Sequence, residues 1–324
     1  MIDLTFPVEL NDVDVVRATF TLEFQEECAL DLSVFLGLRS SLRAAARLVL
    51  EPCGPDGRRR FKALFEPELS RDPVALKKFQ KPSVPFVLML KPFPPRMVNA
   101  GSRFDLEVLF LGRAVPLADD FLACLQQLGH FGVIEGRGRF DVVQMTAIGE
   151  DDAKQCVWQK SDPSPAIAPP LDTIGSWLER QGRPAEEVHV DFRIPARLLV
   201  GGRPLRRPVF REIFPFMLRR ATSMLHAHAD CEPVQDVESL LNAAAAVTVE
   251  SSHFRWHDWR ELSGNRSTSS IGGFTGCLFL RGAVLAEIYW VFAVAALLGI
   301  GKGAAYGAGR FVLSGAGNDR DGRV

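Results

Sequence analysis

An α+β fold of two tandem βαββαβ units is predicted by three observations. The C-terminal half passes through period-two and period-3.6 hydrophobic patterns in that order, and the N-terminal half repeats the order less sharply. Each half also runs from its last helical pattern through a glycine loop into a basic strand. With 324 residues, 47% of them hydrophobic and 24% charged, the chain is long enough to bury two ordinary cores.

In the second half, Val188, Val190, Phe192 and Ile194 alternate with His189, Asp191 and Arg193, which predicts a half-buried first strand over about 187–199. A Gly/Pro turn follows, and then Phe210, Ile213, Phe214, Met217, Leu218, Ala221 and Leu225 fall on one helical face. Val247 and Val249 open an extended run through Trp259, and Phe274, Leu278 and Leu280 open another before Arg281. The apolar stretch 284–298 supplies a second helix, and 310–314 a last strand. In the first half the same order reads as strand 16–24, helix 35–50, strands 84–91 and 104–111, helix 116–128 and strand 137–145. This is the ferredoxin-like, or RRM-like, arrangement, with two helices on one face of a four-stranded antiparallel sheet and the other face free for a partner. The expected domains are 1–150 and 185–324, joined by a linker at 151–184 that contains a Pro-rich stretch.

Composition excludes several classes. With 38 Lys+Arg against 39 Asp+Glu, no global field draws the chain to nucleic acid, so any such surface is a local basic patch. Six scattered cysteines without a CxxC pair, and a start lacking a basic region followed by an apolar run, predict a reduced cytoplasmic protein. The apolar segment 283–300 is short for a bilayer and contains Glu287, so it predicts a buried helix and no membrane contact. Gly301-Lys302-Gly303 is not a nucleotide P-loop, because no Ser/Thr follows the lysine and the loop joins helix to strand rather than strand to helix. There is no G-x-S-x-G elbow for a serine hydrolase.

Five segments carry a family resemblance: Phe214-Pro-Phe-Met-Leu-Arg-Arg220, His257-Asp-Trp-Arg260, Asn265-Arg-Ser267, Gly272-Gly-Phe-Thr-Gly276 and Gly301-Lys-Gly-Ala-Ala-Tyr-Gly-Ala-Gly309. In that order they resemble the C-terminal domain of the CRISPR-associated RAMP endoribonucleases that cut precursor CRISPR RNA. Looser matches in the first half are Leu42-Arg43, the run 61–67 (FKALFEP), Pro85-Phe-Val87 and the loop 129–138. The resemblance implies two tandem ferredoxin-like domains, recognition of CRISPR repeat RNA or crRNA, and cleavage leaving a 2′,3′-cyclic phosphate and a 5′-hydroxyl. It implies no metal and no other cofactor, and it allows other CRISPR effector subunits or a second copy of the chain as partners. The alternative within the same fold is a non-catalytic RNA-binding subunit. The family pattern has a catalytic histidine near the first helix, whereas 35–50 contains none and the first histidine is His130. Where many members have histidine before the GKG, Gly299 stands here, and Thr268 stands where glutamine is usual.

The chemistry needs a base for the ribose 2′-OH, fixed positive charge for the pentacoordinate phosphate and an acid for the leaving 5′-oxygen. Candidate catalytic residues are Arg39 and Arg43, four apart on one helix face, and His253 and His257, which share one side of an extended run with Arg255. The plain alternatives are a solvated helix face and an exposed polar strand face. Candidate RNA contacts are Arg260, Arg266, Gly301, Lys302, Gly303, Tyr306 and Arg310. Glycines bring backbone amides close to phosphate, and arginine forks grip it in two places. Lys302 reads as a phosphate contact or a solvated turn lysine, and Tyr306 as a base-stacking ring or the filling of the loop's underside. His226, His228, Asp230 and Cys231 are ligand types that zinc accepts, but their spacing fits a helix end as well, so no metal site is expected.

Overall fold

The computed structural model describes residues 6–68, 82–134, 136–162, 164, 166–182, 186–258 and 272–315. The chain forms two compact units: Val13–Thr173 with Ala227–Ala229, and the described residues of Met1–Asp12, Ile174–His226 and Asp230–Val324.

In the first unit, β1 (Asp14–Phe24) is followed by α1 (Arg39–Leu50) and α2 (Gly54–Phe65), then β2 (Phe86–Leu88), β3 (Arg103–Leu111), α3 (Ala118–Phe131), β4 (Phe140–Ile148) and β5 (Lys154–Gln159). The antiparallel sheet runs β2-β3-β1-β4, the ferredoxin-like order, with β5 added beside β4. Ring packing locks α3 onto it: Phe121 lies 5.6, 5.3 and 5.0 Å from the rings of Phe20, Phe110 and Phe86 on three different strands. The helix read over 35–50 is two pieces. A short turn, Leu32–Leu36, is capped by the Asp31 carboxylate accepting from the Val34 amide at 3.1 Å, and α1 starts after Gly37. The stretch 151–184, expected to be a linker, holds β5, a two-residue strand Asp172–Thr173 paired with β1, and α4 (Ile174–Gln181).

In the second unit β6 (Glu187–Ala196), α5 (Phe210–Ala229), α6 (Val237–Ala246), β7 (Thr248–Asp258), β8 (Gly272–Arg281), α7 (Leu285–Leu298) and β9 (Phe311–Ser314) follow in order. The sheet order β7-β8-β6-β9 is again ferredoxin-like, so the tandem arrangement read from the sequence is the one the chain adopts. Helix α7 is apolar on every side because it is enclosed: Ile288, Val291, Phe292, Val294 and Leu298 are all completely buried. No helix among the described residues is long and apolar enough to cross a membrane.

Candidate RNA interface

The glycine-rich loop 299–309 leaves α7 and returns as β9. Gly299, Gly301, Gly303, Gly307 and Gly309 all have positive φ, between 63° and 91°. At Gly309 the requirement is doubled, since a Cβ there would lie 2.0 Å from the carbonyl oxygen of Ile300. The expected row of amides turned towards a phosphate is only partly available. The amides of Ile300, Lys302, Ala304, Tyr306, Gly307, Ala308 and Gly309 donate to carbonyls of the loop itself or of Pro195 and Arg197. The glycines therefore serve chiefly to fold the loop tightly against the end of β6. What the loop offers a ligand is a side chain. Lys302 is exposed, and among the described residues no acidic group meets its ammonium. Tyr306 is 6% exposed and fills the loop's underside, so its ring is not presented to a base.

Arg310 sits half-buried with Nη1 donating to the Leu297 carbonyl at 3.3 Å. A second arginine, present in the family-like segment 214–220 but not among the candidate site residues, does the same from α5: Arg220 Nη2 donates to the Leu298 carbonyl at 3.2 Å. Its guanidinium is enclosed, Nε has no partner among the described residues, and burial pulls its pKa down to about 10. The available signal was a cation one position before Ala221 on a helix whose neighbouring Met217, Leu218 and Met224 are all buried.

On β7, His253, Arg255 and His257 share one face, opposite Cys277, Thr275 and Gly273 of β8. Phe254 turns the other way, 5.0 Å from the Phe274 ring and 6.1 Å from that of Phe192. His253 and Arg255 are exposed without a side-chain partner among the described residues, while His257 Nε2 meets Thr275 Oγ1 at 2.7 Å. Arg260 and Arg266 lie outside the described residues.

In the first unit the two helix arginines are not equivalent. Arg43 is paired with Glu66, which also takes Arg47 at 3.4 Å, so its charge is already matched. Arg39, at the first turn of α1, is exposed and has no acidic partner among the described residues. The four zinc-type residues do not converge: His226 Nδ1 meets Glu232 at 3.0 Å, His228 Nε2 meets the Ser83 carbonyl at 2.8 Å, and the Cys231 thiol, pushed up to about 11 by burial, leans on the Glu9 carbonyl.

The chain thus holds two ferredoxin-like units in tandem, and the second carries a compact glycine loop tipped by Lys302, which meets no acidic group among the described residues. Residues 190–311 match the family model described as CRISPR-associated endoribonuclease Cas6, and residues 14–170 match the AF_1859 N-terminal domain. Among solved structures, a product complex of Thermus thermophilus Cas6 aligns with TM-score 0.52 at 18% identity, covering 93% of this chain and 99% of that one. A substrate-mimic complex of a Cas6 aligns at 0.50 and 19% identity with the same coverage of each chain. A partial Cas6-RT-Cas1–Cas2 complex aligns at 0.55 and 11% identity, over 96% of this chain and 47% of that one. At such identities the likeness is one of fold. Comparison with curated proteins returns no match.

Proposed function

We propose that this chain is a CRISPR precursor RNA-processing endoribonuclease that cuts within the repeat without a metal ion. The observation that carries the reading is the exposed Lys302, without an acidic partner among the described residues, on the glycine loop inside residues 190–311, which match the Cas6 family model. RNA phosphates are held by Lys302, by Arg310 and the loop at Gly301 and Gly303, and by Arg260 and Arg266. Cleavage is in-line attack by the RNA's own 2′-OH. Its proton passes to a base, the O2′–P bond forms as the P–O5′ bond breaks, and the departing 5′-oxygen takes a proton, leaving a 2′,3′-cyclic phosphate and a 5′-hydroxyl. His253, with both ring nitrogens unengaged among the described residues, suits the base; His257, tied to Thr275, suits the acid. Arg39 supplies charge for the phosphorane, and Arg43, matched by Glu66, holds the helix rather than the phosphate. The neighbours named as product, substrate-mimic and Cas1–Cas2 complexes support a working life with CRISPR RNA and other CRISPR proteins; the cytoplasm is the compartment this reading assigns. A second copy of the chain is a further partner that this reading allows.

One observation favours a second reading, a non-catalytic RNA-binding subunit: the segment 35–50 contains no histidine. Incubation with end-labelled repeat RNA in EDTA separates the two. Cutting at one repeat position with a cyclic-phosphate end supports the nuclease, and binding with intact RNA supports the subunit. RNA that is neither bound nor cut refutes both.

A further inference from the structure

The central strands β6 and β8 carry an aromatic pair on the face opposite their core side chains. The His189 and Phe279 rings are stacked, with centroids 4.2 Å apart and planes 16° from parallel. The two residues are directly paired across the strands, and His189 Nδ1 meets Ser314 Oγ at 3.2 Å, which fixes the imidazole plane. Phe279 is nevertheless 42% exposed. Its partner on the other side is Ser251 of β7, too small to cover the ring.

One residue pair further along the same face stands His253 opposite Cys277, and beyond it Arg255 opposite Thr275. Same-face neighbours on a strand lie about 7 Å apart. His253 and Arg255 are exposed, and no acidic side chain among the described residues meets either, whereas the nearby Arg193 is bound to Asp191 at 3.0 Å. A flat ring with one open face thus stands beside a file of unmatched cationic or cation-forming groups. A protein-docking patch would surround the exposed aromatic with further apolar side chains. Here its surroundings are polar: Ser251, Cys277 and His189, then Asp191 opposite Cys277, and on the other side Arg281, whose charge is taken up by Glu187 and Glu250.

We infer that this face binds single-stranded RNA, with one base stacked on the open side of Phe279 and an adjoining phosphate at Arg255. The stack then has three layers: His189, Phe279 and base. Every base has a π-face, so the contact is tolerant of sequence, and it needs an unpaired base because a duplex keeps its bases stacked on each other. The inference rests on the RNA-binding reading above and adds to it a substrate form, an unpaired segment, and a contact separate from the glycine loop.

The test is fluorescence-anisotropy titration of the full chain with a labelled oligouridylate and with a labelled RNA duplex. Phe279→Ala is expected to weaken oligouridylate binding roughly 5- to 100-fold, within the range for one stacked base, and to leave duplex binding unchanged. Phe279→Trp is expected to retain affinity, and Phe279→Leu to lose it as alanine does. Arg255→Ala is expected to lower the salt slope by about one, while Phe279→Ala leaves the slope alone. Unchanged oligouridylate affinity for both Phe279→Ala and Phe279→Leu, or full retention by Phe279→Leu alone, overturns the stacking site while the RNA-binding reading stands. A wild-type chain that binds neither RNA removes both.

Discussion

Arg220 and Arg310 reach the same helix end from different elements and donate to consecutive carbonyls, Leu298 and Leu297 of α7. The last carbonyls of a helix have no intrahelical donor, and the dipole places partial negative charge there. A guanidinium answers both needs at once. Arg220→Ala removes one cap from a buried site and is expected to cost about 1–3 kcal/mol, read as a shift of the urea midpoint. Arg220→Lys keeps the charge without the fork and should fall between alanine and wild type; equality with alanine would mean that the cation itself contributes nothing.

The loop beyond that helix end predicts a graded glycine series. Gly309→Ala combines positive φ with a Cβ 2.0 Å from the Ile300 oxygen, whereas at Gly303 the nearest atom is Ala308 Cβ at 3.4 Å. Gly303→Ala should therefore cost only the left-handed strain, about 1 kcal/mol. Gly309→Ala should cost clearly more, as measured by thermal melting.

Lys302 and Tyr306 are four residues apart in the same loop, yet they should behave oppositely. Lys302→Ala is expected to leave the melting temperature unchanged, weaken RNA binding and lower its salt slope by about one. Tyr306→Ala empties a buried site and is expected to lower stability by about 3 kcal/mol. A Lys302→Ala protein with wild-type affinity at low salt would remove the loop from the RNA contact.

Much of this was legible beforehand, for reasons that differ between elements. Strand β6 is readable because His189, Asp191 and Arg193 interrupt its apolar side chains with period two, and α7 because its apolar run is too long for a strand. Strand β2 is read over 84–91 but spans only Phe86–Leu88, since pairing with β3 over three residues is a tertiary fact that local pattern does not carry. The glycines of 299–309 are equally visible, but their purpose is not. A glycine that bares an amide to phosphate and one that folds an amide back onto Pro195 or Arg197 look the same in sequence. The pairing of Arg43 with Glu66, 23 residues later, and the lack of such a partner for Arg39 among the described residues are likewise invisible in helix spacing.

That asymmetry between the two arginines bears on the rate. Under EDTA, single-turnover cleavage of repeat RNA is expected to fall about 100-fold in Arg39→Ala, the scale for losing one transition-state donor. In Arg43→Ala the expected loss is in stability, with the rate per folded molecule little changed. A reversed order would reassign the two side chains.

A pH dependence follows from Asp141, whose carboxylate accepts from Lys160 at 2.7 Å and from Gln25 at 2.8 Å. The Lys160 contact is the largest reason its pKa lies below the usual value, ahead of the Gln25 bond. A lowered folded value means that the contribution is complete above the ordinary aspartate pKa of about 3.9 and is lost as pH falls through the folded value. Asp141→Asn should therefore be less stable than wild type at pH 7 by up to about 1 kcal/mol. The gap in urea midpoints should close in strong acid, and a gap that persists there would show that the charge is not its source.

The pairing of β9 with β6 has a consequence for how the protein comes into being. Phe192 pairs with Phe311, about 120 residues further along the chain. Contacts of such long reach form late, and during synthesis the second sheet cannot close until its last strand has left the ribosome. Until then α7, apolar all round, has no finished sheet to bury it, and the glycine loop has no β9 to return to. The glycine loop is thus completed only when β9 pairs, so a chain interrupted before β9 carries neither a folded loop nor a sheltered α7 and is exposed to aggregation and proteolysis.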